Sequence, residues 1–132
     1  MQALHIVETI VARDGWTPDL AQIAGDLRRS IGDLDGAVTA WRLIPSPDSA
    51  RLRSLAQTQI ALGRWSDAVD SLARLTEAAP DDRWAQLNYG LLMSSVDPHA
   101  AMSALQSAAE DDAYGPLANI VFDALDRNLD QP

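Results

Sequence analysis

A short pattern of residues recurs along this chain at a nearly constant interval. The pairs Ala24-Gly25, Leu55-Ala56 and Tyr89-Gly90 lie 31 and then 34 residues apart. The stretch LGRWSDAVDSLARLTEAAPDD contains Gly63 before an aromatic residue, then an apolar stripe at helical spacing, then Pro80. Moved back by 31 residues or forward by 33, its small and apolar positions again meet small and apolar positions. Such a period predicts stacked helical hairpins.

This pattern resembles the tetratricopeptide repeat, which has small residues at its helix crossings, glycine and an aromatic residue at its turn, and a closing proline. In the unit at about 49–82 the match is carried by Leu52, Leu55, Ala56, Gly63, Trp65, Ala68, Leu72 and Pro80. The units at about 18–48 and 83–113 match in part. The resemblance implies a single all-α domain over 1–132, a right-handed α-α superhelix of about three hairpins with capping helices at 1–14 and 114–132.

Residues that begin or end helices interrupt the pattern and divide the chain into helical segments. We predict eight of them, at about 2–13, 18–31, 34–44, 49–62, 65–79, 82–95, 98–110 and 115–129. Small residues at the crossings let helix axes approach closely, namely Gly25, Ala37, Ala56, Ala68, Gly90 and Ala101. Trp41, Leu72 and Leu105 fill the spaces between helices. We interpret Trp41 and Trp65 as packing residues and Ser66 as a helix N-cap.

Composition excludes several classes of function. The formal charge is −9, every basic residue is arginine, and cysteine is absent. An acidic surface repels phosphate groups, so we expect neither nucleic acid nor a membrane as a partner. No stretch approaches the ~20 apolar residues that span a bilayer, and the N-terminus lacks the features of a secretory signal. We expect a cytoplasmic protein, and the use of Ala, Arg, Asp and Gly suits a GC-rich bacterial genome.

The ionisable residues do not form a pattern typical of catalysis. The two histidines, His5 and His99, are far apart in the sequence. The acidic groups at 33–35 and 81–82 fall where a helix N-terminus favours negative charge, whereas 110–112 falls at a helix end and lacks that explanation. We predict no catalytic residue, no metal and no cofactor. A small metal-dependent enzyme that uses 110–112 with His99 or Arg127 is the less favoured alternative.

The resemblance implies a functional surface on the concave face, which is lined mainly by the first helix of each unit. The residues it places in this peptide-binding groove are Arg29, Arg53, Gln57, Trp84, Leu87, Asn88 and Leu91. One subclass clamps an acidic carboxylate of chaperones, but Leu117 and Val121 stand where that clamp needs basic residues. In an alternative reading, the C-terminal helix covers the apolar patch around Trp84.

These observations predict a non-catalytic protein–protein interaction module of the adaptor, scaffold or co-chaperone type. Its partner would be another protein or a peptide, bound as an extended or helical segment in the groove. Two alternatives stay open beside it. The chain could be a structural module that self-associates through its end helices, or one part of a longer repeat array.

Overall fold

The computed structural model describes residues 2–130, which form helices and no strand. Along this part of the chain there are eight helices, α1 (Gln2–Asp14), α2 (Pro18–Ser30), α3 (Leu34–Trp41), α4 (Ser49–Ala61), α5 (Trp65–Ala78), α6 (Arg83–Met93), α7 (Pro98–Ala108) and α8 (Gly115–Leu129). The predicted all-α fold class is confirmed.

The predicted helix starts agree with the structure to within one residue, and the predicted ends to within two residues except at α3. Helix α3 ends at Trp41, three residues earlier than predicted. There the N–H groups of Leu43 and Ile44 donate to carbonyls three residues back, at 3.1 Å each. Pro45 disfavours helical backbone at the residue before it, so the last turn tightens and the helix stops.

Aspartate side chains cap four of these helices, and a threonine caps a fifth. At Asp33, Asp48, Asp82 and Asp97, and at Thr17, a side-chain oxygen accepts a hydrogen bond from the backbone N–H three residues later. Two of the acidic groups noted in the sequence, 33–35 and 81–82, therefore contain N-caps. The N-cap prediction for Ser66 is wrong. Gly63 turns the chain with a φ of 72°, and α5 starts at Trp65, so Ser66 already lies in its first turn.

The described helices separate into two compact units, one ending at Arg64 and one starting at Trp65. In the first unit, α2 packs against α1 and α3, and α3 packs against α4. In the second unit, α6 packs against α5 and α7, and α7 packs against α8. The single domain with hairpin units at about 18–48, 49–82 and 83–113 stays a prediction.

The core of the first unit depends on a glycine that faces a tryptophan. Trp41 is 0% exposed and packs with Ala37, Val38 and Leu55. A Cβ atom added at Gly25 would lie 2.1 Å from Nε1 of Trp41. No side chain larger than hydrogen fits there, so the predicted roles of the small residue and of Trp41 are confirmed.

The core of the second unit repeats this arrangement with smaller residues. A Cβ at Gly90 would lie 2.7 Å from Cγ of Leu105, which is fully buried. Around Leu105 lie buried side chains of α6, α7 and α8, together with half-buried side chains of α8: Leu87, Ala108, Ala118, Val121, Phe122 and Leu125. Helix α8 therefore contributes a large part of this core.

One packing prediction is wrong. Trp65 is 54% exposed, although its position after Gly63 matches the aromatic position of the repeat. Because α5 begins at Trp65 itself, the indole stands at the very end of the helix, where there are fewer neighbours to cover it. Trp65 is therefore a surface residue.

Candidate functional site

The first unit brings two arginines onto one buried tryptophan. The Cζ atoms of Arg29 and Arg51 lie 5.4 Å and 5.7 Å from the centroid of the Trp41 ring, which is within the range of cation–π contacts. Nη1 of Arg51 also donates to Oδ1 of Asp26 at 2.8 Å. Side chains from α2, α3 and α4 thus meet in one group, the arginine cluster (Asp26, Arg29, Trp41 and Arg51).

The two guanidinium groups of the arginine cluster differ in what they can still bind. Arg51 is half-buried and its charge is matched by Asp26. Arg29 is exposed, and no ion pair or hydrogen bond from residues 2–130 reaches its guanidinium group. A guanidinium held against a ring keeps its N–H donors at its edge, in the fork geometry that matches a carboxylate. This geometry suits a carboxylate ligand, and the binding role of Arg29 stays a prediction.

Three of the predicted groove residues lie in the first unit, and their burial and contacts differ. Arg29 belongs to the arginine cluster. Arg53 on α4 is half-buried and already makes a polar or ring contact. Gln57, one turn later, is exposed. Arg51 was missed by sequence reasoning, because its partner Asp26 is 25 residues away and no local spacing links them.

The other four predicted residues lie on α6 in the second unit, partly inside its core. Leu87 is 7% exposed, and half-buried Leu91 packs against the same core cluster. Nδ2 of Asn88 donates to the carbonyl of Trp84 at 2.9 Å, which leaves the amide oxygen as its acceptor. Trp84 is half-buried and makes a contact of its own. The burial of Leu87 leaves it little surface to offer a ligand, and the binding role of the rest stays a prediction.

Helix α8 covers much of this apolar patch but exposes apolar residues of its own. Val121, Phe122 and Leu125 pack on the cluster that contains Leu87, and Leu91 packs on the same cluster. Of the two readings of the patch, coverage by the C-terminal helix therefore describes Leu87 better, whereas Leu91 stays half-buried. On the outer side of α8, Ile120 is 66% exposed, so an apolar surface is present there instead.

The third acidic group, at 110–112, has a structural explanation. Oε2 of Glu110 accepts from Nη2 of Arg83 at 2.5 Å. Oδ1 of Asp111 accepts from the backbone N–H of Ala113 at 2.7 Å, within the turn before α8. Among residues 2–130, no three His, Asp or Glu side chains gather as a candidate metal cluster. Over the same range, no helix combines the length and apolar character that a membrane crossing requires.

Comparison with known proteins agrees with this architecture. The family model for the tetratricopeptide repeat matches residues 24–88, from the Ala-Gly crossing in α2 to α6. The chain belongs to the tetratricopeptide repeat family. This repeat is generally a non-catalytic fold for protein interaction. A search among curated proteins finds no match.

Two solved structures show the same fold as this tetratricopeptide repeat protein. One is YrrB, described as a TPR protein with an unusual peptide-binding site, at 16% identity and a TM-score of 0.77 over 94% of this chain. The other is MamA, at 15% identity and a TM-score of 0.71 over 96% of this chain. This chain covers 66% of the YrrB chain, slightly less than two thirds, and 76% of the MamA chain.

Proposed function

We propose that this tetratricopeptide repeat protein binds a segment of another protein and acts by binding alone. The arginine cluster is the observation that carries this proposal. It offers an exposed guanidinium group, held against a buried ring, on a helix that the family uses for recognition. The fold neighbour YrrB is itself described as having a peptide-binding site, which supports a peptide as the type of ligand.

The first step of recognition is a charge-assisted pair at Arg29. A carboxylate of the partner accepts two N–H bonds from the edge of the guanidinium, while the face of the group stays on Trp41. Arg51 cannot compete for this carboxylate, because Asp26 holds it at 2.8 Å. Asp26 also limits the number of acidic groups that the ligand can place here, because its carboxylate would repel a second one. The preferred ligand therefore has one isolated acidic group.

The second unit supplies a separate apolar position on α6. Its contact residues are Trp84 and Leu91, which are both half-buried, with the amide oxygen of Asn88 as an acceptor for a backbone N–H. Leu87 supports this surface from beneath, as part of the core. Because aromatic and aliphatic anchors dominate binding energies, we expect this position to contribute more affinity than the rim residue Gln57.

The proposal is tested by affinity capture from the source cell with the wild-type chain and with Arg29→Gln. Arg42→Gln is the matched control, because Arg42 is exposed just beyond the end of α3 and outside the arginine cluster. A partner of the proposed site is captured by the wild type and the control, and binds Arg29→Gln about tenfold more weakly. Equal affinity of all three chains would contradict the role of Arg29.

Self-assembly is the second candidate function, because both end helices expose apolar residues. Ile6 on α1 and Ile120 on α8 are more than half exposed, and exposed apolar patches mark association surfaces. Sedimentation at several protein concentrations distinguishes the two functions. A module that awaits a peptide stays monomeric, whereas an assembly module associates and loses that association in Ile120→Asp.

If the protein acts by binding alone, the acidic residues at 110–112 should be replaceable without loss of function. Replacing Asp111 and Asp112 together by asparagine should leave partner affinity unchanged, since the amide oxygen of an asparagine can still accept a hydrogen bond from the N–H of Ala113. Loss of a specific chemical activity in a folded Asp111→Asn, Asp112→Asn double variant would favour the metal-dependent enzyme instead. Circular dichroism of the variant checks that the fold is intact.

A further inference from the structure

A second recessed surface lies in the unit that starts at Trp65, away from the arginine cluster. It is a pocket of about 300 Å³ between the first turn of α5 and the end of α6. Its lining residues are Trp65, Ser66, Val69, Asp70, Leu92, Met93 and Val96. We call it the α5–α6 pocket. Four of these residues are spaced as neighbours on one face of α5, so one helix supplies a continuous wall.

Two large apolar residues at the rim of the α5–α6 pocket remain uncovered. Trp65 is 54% exposed, and Val96, in the turn after α6, is 74% exposed. Packing does not account for them, because a residue that serves the core is buried, as Trp41 is. An exposed indole and an exposed valine that line the same recess provide apolar surface of the kind found at binding sites.

One acidic residue, Asp70, gives the pocket a negative charge. Asp70 is exposed, and no ion pair or hydrogen bond joins its side chain to another of residues 2–130. The pocket also lies at the C-terminal end of α6, whose carbonyl groups carry partial negative charge. At the N-terminal end of α5, where the dipole is positive, Asp67 in the first turn offsets it.

The charge of the surrounding unit has the same sign. Residues 65–132 contain three arginines and twelve carboxylates, so the whole net charge of −9 lies in this half of the chain. Residues 1–64 contain seven of each. Of the three arginines, Arg83 is already paired with Glu110. The field around the α5–α6 pocket therefore attracts cations.

We propose that the α5–α6 pocket docks a basic side chain of a partner protein, an arginine or lysine with an aliphatic residue beside it. The cationic head lies against the indole of Trp65, which is the best aromatic partner for a cation, and pairs with Asp70. The aliphatic neighbour lies on Val69 and Val96. This combination explains why an exposed tryptophan borders the same recess as Asp70, whose carboxylate has no partner among residues 2–130.

This site is independent of the one proposed around Arg29. The arginine cluster selects an acidic group and lies in the other unit, whereas the α5–α6 pocket selects a basic one. One partner segment with both charges or two different partners could use them. A variant at Arg29 should leave the pocket unchanged, and a variant at Asp70 should leave the arginine cluster unchanged.

The test is a titration of the protein with a capped peptide in which leucine and arginine alternate. NMR spectra recorded during the titration report binding. The indole N–H signal of Trp65, assigned from its loss in Trp65→Phe, and the amide signals of Met93 and Val96 should shift together. A control peptide in which leucine and glutamate alternate should shift none of them. Arg29→Gln should bind the leucine–arginine peptide as the wild type does.

Variants of the pocket separate specific docking from general attraction. Trp65→Ala should weaken binding of the leucine–arginine peptide about tenfold or more, as loss of an aromatic anchor does. Asp70→Asn should weaken it by up to about fivefold, the upper end of the range for an exposed ion pair. Asp123→Asn on α8 removes the same charge from an exposed position outside the pocket lining, and should have a much smaller effect.

Four results would overturn the proposal. Equal weakening by Asp70→Asn and Asp123→Asn would show that the peptide is held by the overall field. Binding of the leucine–glutamate peptide at the same residues would show that the pocket does not select a basic ligand. An absence of any shift at Trp65 with millimolar leucine–arginine peptide would show that the pocket does not bind this ligand. Concentration-dependent dimers that disappear in Trp65→Ala would assign the pocket to a second copy of this chain.

Discussion

The contact between Gly25 and Trp41 makes a quantitative prediction about stability. A Cβ added at Gly25 would lie 2.1 Å, 2.3 Å and 2.7 Å from Nε1, Cδ1 and Cε2 of the indole. Each distance is well below van der Waals contact, and Trp41 is fully buried. The ring cannot turn away into solvent, so Gly25→Ala must push α2 and α3 apart.

Two opposing terms set the size of the effect. Overpacking of a core typically costs ~1–3 kcal/mol, and the size of this overlap favours the upper end. Alanine in a helix interior is favoured over glycine by about 1 kcal/mol. We expect Gly25→Ala to lower the free energy of unfolding by about 2 kcal/mol, a large fraction of the ~5–15 kcal/mol that stabilises a typical domain.

A double-mutant cycle measures the free-energy cost of the overlap between the new Cβ and Trp41. Each variant is unfolded in urea, and circular dichroism monitors the unfolding. Trp41→Leu removes the indole, and in that background Gly25→Ala should be neutral or stabilising. Gly90→Ala is a milder comparison, because its Cβ would lie 2.7 Å from Cγ of Leu105 and 3.2 Å from the carbonyl oxygen of Ala101, both longer than the 2.1 Å at Gly25. If Gly25→Ala costs as much in the Trp41→Leu background as in the wild type, the close contact with the ring is not the cause and the reasoning fails.

Burial, capping and backbone conformation each carry one further prediction. Leu105→Ala should cost about 3 kcal/mol in urea unfolding because Leu105 is fully buried, whereas Leu129→Ala at the exposed end of α8 should change stability by less than ~0.5 kcal/mol. Asp48→Ala should lower the unfolding midpoint by an amount equivalent to about 1 kcal/mol, and Asp48→Asn should retain most of the capping. Gly32→Ala should cost ~1–2 kcal/mol despite open space around it, because its φ of 85° is left-handed.

Local features of the sequence were sufficient to predict the helices. Aspartate N-caps, prolines and glycines act within a few residues of their own position, so the helix starts agreed to within one residue. The repeat period added the long-range information. It predicted that Gly25 and Gly90 lie at close crossings, because a hairpin needs a small residue where its two helices meet.

The sequence could nominate residues of the candidate site only from the face of the helix on which they lie. Arg29, Arg53 and Gln57 were named from their positions in the repeat, and the structure holds Arg29 against Trp41. Arg51 could not be named, because its role comes from Asp26 and Trp41 on other helices. The repeat predicts Leu87 as a groove residue, and the structure buries it in the core of the second unit, because burial depends on where α8 lies.

The two tryptophans of similar appearance in the sequence show where this limit lies. Trp41 and Trp65 both occupy apolar positions of the repeat, and the sequence alone determined that each belongs to a helix near a turn. Only the tertiary structure decided that Trp41 is enclosed by α2, α3 and α4 while Trp65 stands open at the rim of a pocket. Periodicity specifies the direction of a side chain around its helix, whereas exposure depends on which other helix occupies that direction.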